Sequence, residues 1–463
     1  MMYFWGIKST HAICSENWYN ILTIGSLGDA CEKIWTKELF ICFCLAVILF
    51  VPVHTFAEEK REWRDEVIYS IMIDRFNNGE SKNDKQLDVG NLEGYQGGDI
   101  RGIIKRLDYI KEMGFTTIML SPLFESEKYD GLSVRNFQKV NEHFGTENDV
   151  KELVNEAHKK GMKVVFQFPY EENEQQLIDS MKWWIKEVDL DGSYVIHSEK
   201  KPRAFWDEVQ KDLQKVKKDF HIMTKEDNEY YKKIVESFLN VDMSVKPLYD
   251  VSGKEEEFAT FLDNQETKRF ARIAKENMYY PPSRLKLAIT YLLTSPGIPN
   301  FYYGTEIALD GGDAPDNRRL MDFKSDEKFM QHITKLGELR QARPSLRRGT
   351  FELLYDKDGM SILKRKYKDE VTLVAINNTK ETQKVSLPVS AIGEKQELRG
   401  LLEDEIIREE NGKFYLVLKR EESNVYKVSE ETGVNWLFIS LIVGVNVLFI
   451  AFLIAVKKKR SSV

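Results

Sequence analysis

The chain has 463 residues, of which 42% are apolar and 30% charged. That mixture suits two or three folded domains and excludes a disordered chain, a collagen and a polytopic membrane protein. Its 67 basic and 74 acidic residues leave a net charge of −7, the wrong sign for a nucleic-acid-binding surface.

Near the N-terminus, Lys37 and Glu38 precede an apolar run from Leu39 to Val53. The run is short for a membrane span and right for a signal-peptide core. Thr55-Phe56-Ala57 places small residues where a signal peptidase cuts, so cleavage is expected after Ala57. Residues 1–57 are thus read as leader and signal peptide. The four cysteines, Cys14, Cys31, Cys42 and Cys44, all precede that point. A disulfide scaffold, a zinc–thiolate site and a cysteine nucleophile are therefore not expected in the mature chain.

The body then alternates strand and helix. Val67–Ile73 reads as a buried strand. Asp99 caps a helix carrying Ile100, Ile103, Ile104, Leu107 and Ile110 at helical spacing, stopped by Gly114. Residues 116–120 form a second strand. A helix from about Glu147 ends at Gly161, and residues 163–168 form a third strand. Shorter strand candidates lie at 192–196, 220–223, 258–263 and 300–303. Strands separated by helices argue for a parallel sheet, and about eight such units suit a closed (β/α)₈ TIM barrel over residues 58–345. After roughly Arg347 the pattern becomes short strands between turns, TFELLYD, MSILKRKY, EVTLVAINN and KFYLVLKR. Residues 346–430 are read as a small antiparallel β-sandwich.

Trp436 to Val456 is an uncharged run of about 21 residues, which spans ~31 Å as a helix and matches a hydrocarbon core. The basic residues 457–460 follow at once. Basic residues stay on the cytoplasmic side, so the expectation is one C-terminal transmembrane helix at 436–456 and a cytoplasmic tail at 457–463. The body would then lie outside the cell membrane. Ser440 and Asn446 are the polar positions available to a partner helix.

In its longer motifs the chain resembles the α-amylase family, glycoside hydrolase family 13. VIYSIMIDRFNNGES resembles that family's first strand and loop. GGDIRGIIKRLDYIKEMGFTTIMLSPLFES resembles its first helix and second strand, and VNEHFGTENDVKELVNEAHKKGMKVVF the run into the third. FLDNQETKRF resembles the seventh-strand motif, and SPGIPNFYYGTEIALDGGDAPDNRR the eighth strand and its loop. The resemblance covers about residues 64–345 and implies a TIM barrel with an α-glucan glycosidase site. Such retaining enzymes need two carboxyls ~5–5.5 Å apart, one to attack the anomeric carbon and one to protonate the leaving oxygen.

The residues at the implied site depart from that requirement. The nucleophile position falls on Ile196 and its arginine neighbour on Tyr194. The acid position falls on Thr224. The third carboxylate position alone keeps a carboxylate, as Glu266. The histidine before it is Gln265, and the strand-three motif reads Gln167 to Glu172. The histidine and tyrosine after strand two fall on Asp130 and Leu132, and the aspartate of the last loop on Ala314. Arg318, Gln265 and Asp263 remain as implied substrate-binding positions. Strand three is followed by strand four after only about 20 residues, so the domain that the family inserts there, with its calcium ligands, is expected to be missing. A second calcium motif is implied by Asn78, Glu80, Asn83, Asp84, the carbonyl of Gly97 and Asp99, which are hard oxygen donors. The plainer reading of the same residues is a polar turn with Asp99 as a helix cap.

Other residues have two readings. His197 is a rim residue or a new general base. Glu171, Glu172 and Glu226 are solvated loop acids or a relocated acid pair. Trp183-Trp184 packs into the core or stacks a sugar. Three functions are expected to compete. One is a membrane-anchored, catalytically impaired member binding a carbohydrate or protein partner. Another is an active α-glucan glycosidase with relocated carboxyls. The third is a subunit of a membrane transporter or assembly, since the amylase-like heavy chains of amino-acid transporters also lose these residues.

Overall fold

The structure, a computed structural model, describes residues 59–224, 228–252, 259–324, 326–431 and 436–460. Internal contacts divide the chain into residues 1–60 and 61–463. The expected signal peptide and its cleavage point lie outside the described residues, as does Glu226.

Seven strands form one parallel sheet: β1 Ile68–Ile71, β2 Thr117–Leu120, β5 Lys163–Pro169, β6 Gly192–Ile196, β7 His221–Thr224, β8 Ala259–Phe261 and β9 Ile298–Tyr302, in the order β7-β6-β5-β2-β1-β9-β8. A hairpin of β3 Phe124–Ser126 and β4 Val134–Val140 stands apart from the sheet. The strands are nearly solid apolar runs, because helices cover one face and the sheet curls over the other. Ile68, Met119, Val165, Met223 and Ile298 fill the inside of the curl. The larger core lies between the sheet and its helices.

The seven strands are the seven expected from sequence, and this parallel sheet with the β-domain after it fits a TIM barrel, seven strands of which lie among the described residues. Among the described residues no strand lies between β7 and β8 in the sheet. The described part of that stretch holds helices Asn228–Leu239 and Lys246–Val251. Tyr230, Ile234 and Phe238, all buried, recur there every four residues and lie along one face of the first of these helices. The first strand is also shorter than expected, giving way to a helical turn at Ile73–Phe76.

The helix Ile100–Glu112 starts where expected. The Asp99 carboxylate accepts from Gly102 N at 2.6 Å, Gly79 N at 3.0 Å and Glu80 N at 2.8 Å. One carboxylate thus caps the helix and pins the loop after β1 to it. Gly102 permits the contact: a Cβ there would sit 1.7 Å from Asn77 O.

Between β5 and β6 lies only helix Glu174–Val188, so no inserted domain occurs at that point. The second domain has a six-stranded antiparallel sheet, ordered β10 Thr350–Lys357, β11 Met360–Tyr367, β12 Glu370–Asn377, β17 Ser423–Glu430, β14 Gln396–Gly400, β15 Ile406–Arg408. The pair β13 Gln383–Pro388 and β16 Lys413–Leu418 closes its core. This is the expected two-layered β-domain, with twice the strands named from sequence.

The expected span at Trp436–Val456 falls on helix Trp436–Arg460. The side chains at 436, 437, 452, 455, 456 and 458–460 lie outside the described residues. Among the described residues no helix is long and apolar enough to cross a membrane.

Candidate functional site at the strand C-termini

Parallel strands that curl this way bring their C-terminal ends to one rim, where side chains from different strands meet. Register decides which of them face inward. Gln167, Tyr194 and Met223 pair across β5, β6 and β7, and Met223 belongs to the inner core. Side chains two apart share a face, so Ile196 follows Tyr194 inward. Ile196 is 2% exposed. An aliphatic side chain is sealed where the resemblance puts the nucleophile.

Thr224 pairs with Val195 rather than with Ile196, so it stands on the opposite face of the sheet from Ile196. A threonine there supplies no general acid of the carboxyl kind.

Glu266 is solvent-exposed, in a turn closed by its own N–H donating to Asn264 Oδ1 at 2.8 Å. Asp263 is buried and engaged within the protein. It is 3% exposed and accepts from Phe270 N at 3.0 Å and from the Thr305 hydroxyl at 2.8 Å. Its role is to tie β8 to the chain after β9. Gln265 contributes its carbonyl, which accepts from Arg318 Nε at 3.1 Å and Asn317 Nδ2 at 3.0 Å.

Arg318 is the best-held of the expected binding residues. Its Nη1 donates to the Tyr129 hydroxyl at 3.3 Å and lies 3.6 Å from Asp130 Oδ2. Asp130 stands where the resemblance implies a sugar-contacting histidine, and here it pairs with the arginine. Arg75 stacks under Tyr129, its guanidinium 3.8 Å from the ring centroid. The Tyr302 hydroxyl and Gln167 Oε1 are buried without a hydrogen-bond partner. Tyr129 and Tyr302 were not among the residues singled out from sequence, because a tyrosine next to a lost motif carries no periodic signal.

His197 is half exposed, has a left-handed backbone (φ 60°), and its Nδ1 lies 3.5 Å from Glu199 Oε1. A strained non-glycine residue at a strand end is common in functional rims. Glu172 is exposed and Glu171 partly buried. Trp184 is core, donating to Phe137 O at 2.7 Å, and Trp183 packs edge-on against it at 4.7 Å. Asp191, which opens the β6 motif, is structural. Burial pushes its carboxyl up, but hydrogen bonds from His158 at 2.7 Å and Lys217 at 2.8 Å outweigh that and hold it low.

The calcium residues divide. Asn78 Nδ2 donates to Asp84 Oδ1 at 2.8 Å, and both sit against Gly97. Asn83 Nδ2 reaches Asp99 at 3.3 Å, while Asn83 Oδ1 is buried without a partner. That orphaned carbonyl oxygen fits a cation. Glu80 turns to Lys82 at 3.2 Å, and the Asp99 oxygens are engaged by four N–H donors. Among the described residues no group of three or more His, Cys, Asp or Glu side chains is arranged to hold a metal.

Residues 70–170 match the alpha amylase catalytic domain and residues 349–426 the alpha-amylase C-terminal domain. A crystal structure of an Anoxybacillus α-amylase is 43% identical, with 81% of this chain and 100% of that one covered and a TM-score of 0.77. The chain belongs to the α-amylase family, glycoside hydrolase family 13. The α-amylase of Geobacillus thermoleovorans in complex with acarbose is 40% identical over the same coverage, with a TM-score of 0.76. A maltogenic α-amylase of Bacillus acidopullulyticus is 25% identical, covering 76% of each chain. The β/α-amylase of Paenibacillus polymyxa is also 25% identical, but this family member spans 38% of its length.

Proposed function

We propose that the chain is a cell-surface α-amylase-family protein that binds a carbohydrate or protein partner at its strand C-termini and does not hydrolyse α-glucosidic bonds. Ile196 carries this reading: a buried aliphatic side chain occupies the nucleophile position, and an isoleucine forms no glycosyl ester. The pairing of Arg318 with Asp130 supports it further. The cation that would meet a sugar or a catalytic carboxylate is neutralised within the protein.

Binding needs less than catalysis. Exposed Glu266 and the rim around Tyr129 and Arg318 offer hydrogen bonds to hydroxyl groups without a reacting pair. Membrane anchoring is supported by the uncharged run 436–456 and by exposed Phe438, Leu441, Leu448 and Phe449 on its helix. Such apolar surface wants lipid or a partner. Calcium, if bound, would be held by Asn78, Asn83, Asp84 and the Gly97 carbonyl, where it would neutralise Asp84 and stiffen the loop after β1.

The test is an assay of the full-length chain in neutral detergent on starch, maltodextrin, pullulan and an aryl α-maltoside. Turnover above about 1 s⁻¹, the low end for ordinary enzymes, that disappears in Glu266→Ala would overturn the proposal.

A further inference from the structure

A second concavity lies away from the strand C-termini. It is a cavity of about 490 Å³ lined by Arg64, Arg347, Arg348, Arg365, Tyr249 and Phe351. Arg64 precedes β1, Gly297 precedes β9, and Thr350 and Phe351 begin β10, so the cavity sits at the N-terminal end of the sheet where the β-domain abuts it. Its size is that of an ordinary small-ligand site, ~300–1,000 Å³.

The lining is strongly cationic. Four guanidinium groups line it together with Asp250, which is bonded to Lys246 at 2.8 Å, and Glu62 pairs with Arg64 at 2.6 Å and with Arg348 at 3.4 Å. Behind them Asp65 serves two arginines. Arg348 Nε donates to it at 2.8 Å, and Arg347 Nη1 lies 3.8 Å away. Burial pushes the Asp65 carboxyl up, but these arginines and the Glu62 backbone outweigh burial and keep it charged. The arginines are also fixed in place. Arg365, 1% exposed, donates to the carbonyls of Ser345, Thr294 and Gly349 at 3.2, 2.9 and 3.1 Å. Arg347 Nε is buried with no hydrogen-bond partner, a donor still lacking its acceptor. On the other wall Tyr249 and Phe351 pack ring to ring at 5.0 Å.

We propose that this cavity binds a phosphate ester, with the phosphate among the arginines and its organic part against Tyr249 and Phe351. Crowded like charges repel unless an anion joins them, and the planar guanidinium fork matches phosphate oxygens two at a time. The ester has two possible sources, a soluble phosphomonoester or an anionic lipid headgroup.

The experiment is calorimetric titration of the full-length chain in neutral detergent with inorganic phosphate and with phenyl phosphate. Phosphate is expected to bind in the millimolar range and phenyl phosphate about tenfold tighter, through the aromatic wall. Arg347→Gln and Arg64→Gln should each weaken both ligands by about tenfold or more, while Arg203→Gln, on an exposed helix elsewhere, should not. Melting curves of the variants establish that they fold, and Arg64→Lys tests the loss of the fork at constant charge. In nanodiscs, loss of phenyl phosphate binding when phosphatidylglycerol joins phosphatidylcholine assigns the site to a lipid headgroup; unchanged binding assigns it to a soluble ester. No heat from either probe, or equal affinity in the wild type and both glutamine variants, overturns the site.

Discussion

The ring of Tyr231 lies flat on the ring of Phe261, centroids 5.3 Å apart and planes within 1°. Phe261 pairs with Asn300 of β9, itself in register with inward-facing Ile68, so Phe261 points into the curl of the sheet. An inward barrel side chain is thus covered by a helix, Asn228–Leu239, that follows β7. The stack ties that helix to the inner face of β8. Tyr231→Ala should therefore destabilise the fold by ~1–3 kcal/mol, the stack plus the buried ring area. Tyr231→Phe should cost under ~1.5 kcal/mol, since only its hydrogen bond to Thr267 is lost. Denaturant midpoints of the two variants check this; equal losses would mean that the ring does not matter.

That stack explains what the sequence could and could not disclose. The seven sheet strands were legible because each is a short apolar run bounded by turn residues. An eighth strand follows only from the count usual for a barrel, and no apolar run between β7 and β8 marks it in the way the other seven are marked. The β3–β4 hairpin was missed because VRNFQKV buries only Phe137 and Val140 and otherwise reads as a polar loop. At the rim, Ile196 and Glu266 were placed by motif alone. The opposed facing of Thr224 is a matter of strand register, which the motif does not carry.

Ile196 gives a second prediction. Ile196→Val should cost ~0.5–1.5 kcal/mol, a small cavity. Ile196→Asp should cost more, ~2–4 kcal/mol at neutral pH, because it buries a carboxylate in a 2% exposed site. Burial raises that new carboxyl's folded pKa, so the variant's deficit should shrink as pH falls and the group is protonated. Neither variant should gain starch hydrolysis, since Thr224 at the implied acid position has no carboxyl and stands on the opposite face of the sheet. Measurable turnover in Ile196→Asp would show a working acid nearby.

A third prediction concerns acid. His332 Nε2 lies 3.1 Å from Thr290 Oγ1, which is 2.8 Å from Ser423 Oγ of the β-domain. Burial, then the nearby Lys286 and Lys335, push its pKa from 6.5 to about 4. His221, under Trp63, is pushed to about 4 by burial and Lys163. A depressed folded pKa means stability that is present above 6.5 and lost as pH falls through about 4. Asp74 acts the other way: burial raises it to about 6, so its share is lost as pH rises through 6. The melting temperature should fall between pH 6.5 and 4, and His332→Gln should flatten that slope. An unchanged slope would remove His332 from the account.

The loop after β1 gives a fourth. If calcium joins Asn83 Oδ1, Asp84 and the Gly97 carbonyl, it binds the folded state alone. At a hundredfold excess over Kd that stabilises by ~2.7 kcal/mol. Melting temperature should then rise with millimolar calcium and fall in chelator, and Asp84→Ala should abolish the response while the helix stays capped by Asp99. Identical curves in calcium and chelator would leave the loop as a polar turn held by Asp99.

The last prediction concerns the C-terminal helix. Trp436–Arg460 is helical, and its described apolar side chains are exposed, Leu448 at 71% among them. The polar side chain at Asn446 donates to Ile442 O at 2.8 Å, so the helix satisfies it internally, as a lipid environment requires. The sequence run 436–456 has no charge, and basic residues 457–460 follow it. A hydrocarbon core would cover the apolar surface, and the basic end would stay on the cytoplasmic side. The chain should therefore remain in the membrane pellet through alkaline carbonate extraction. Protease added to intact cells should remove the body and spare a tag placed after Val463. A tag digested along with the body would reverse the orientation, and a chain released by carbonate would show that the helix is covered by a protein partner rather than by lipid.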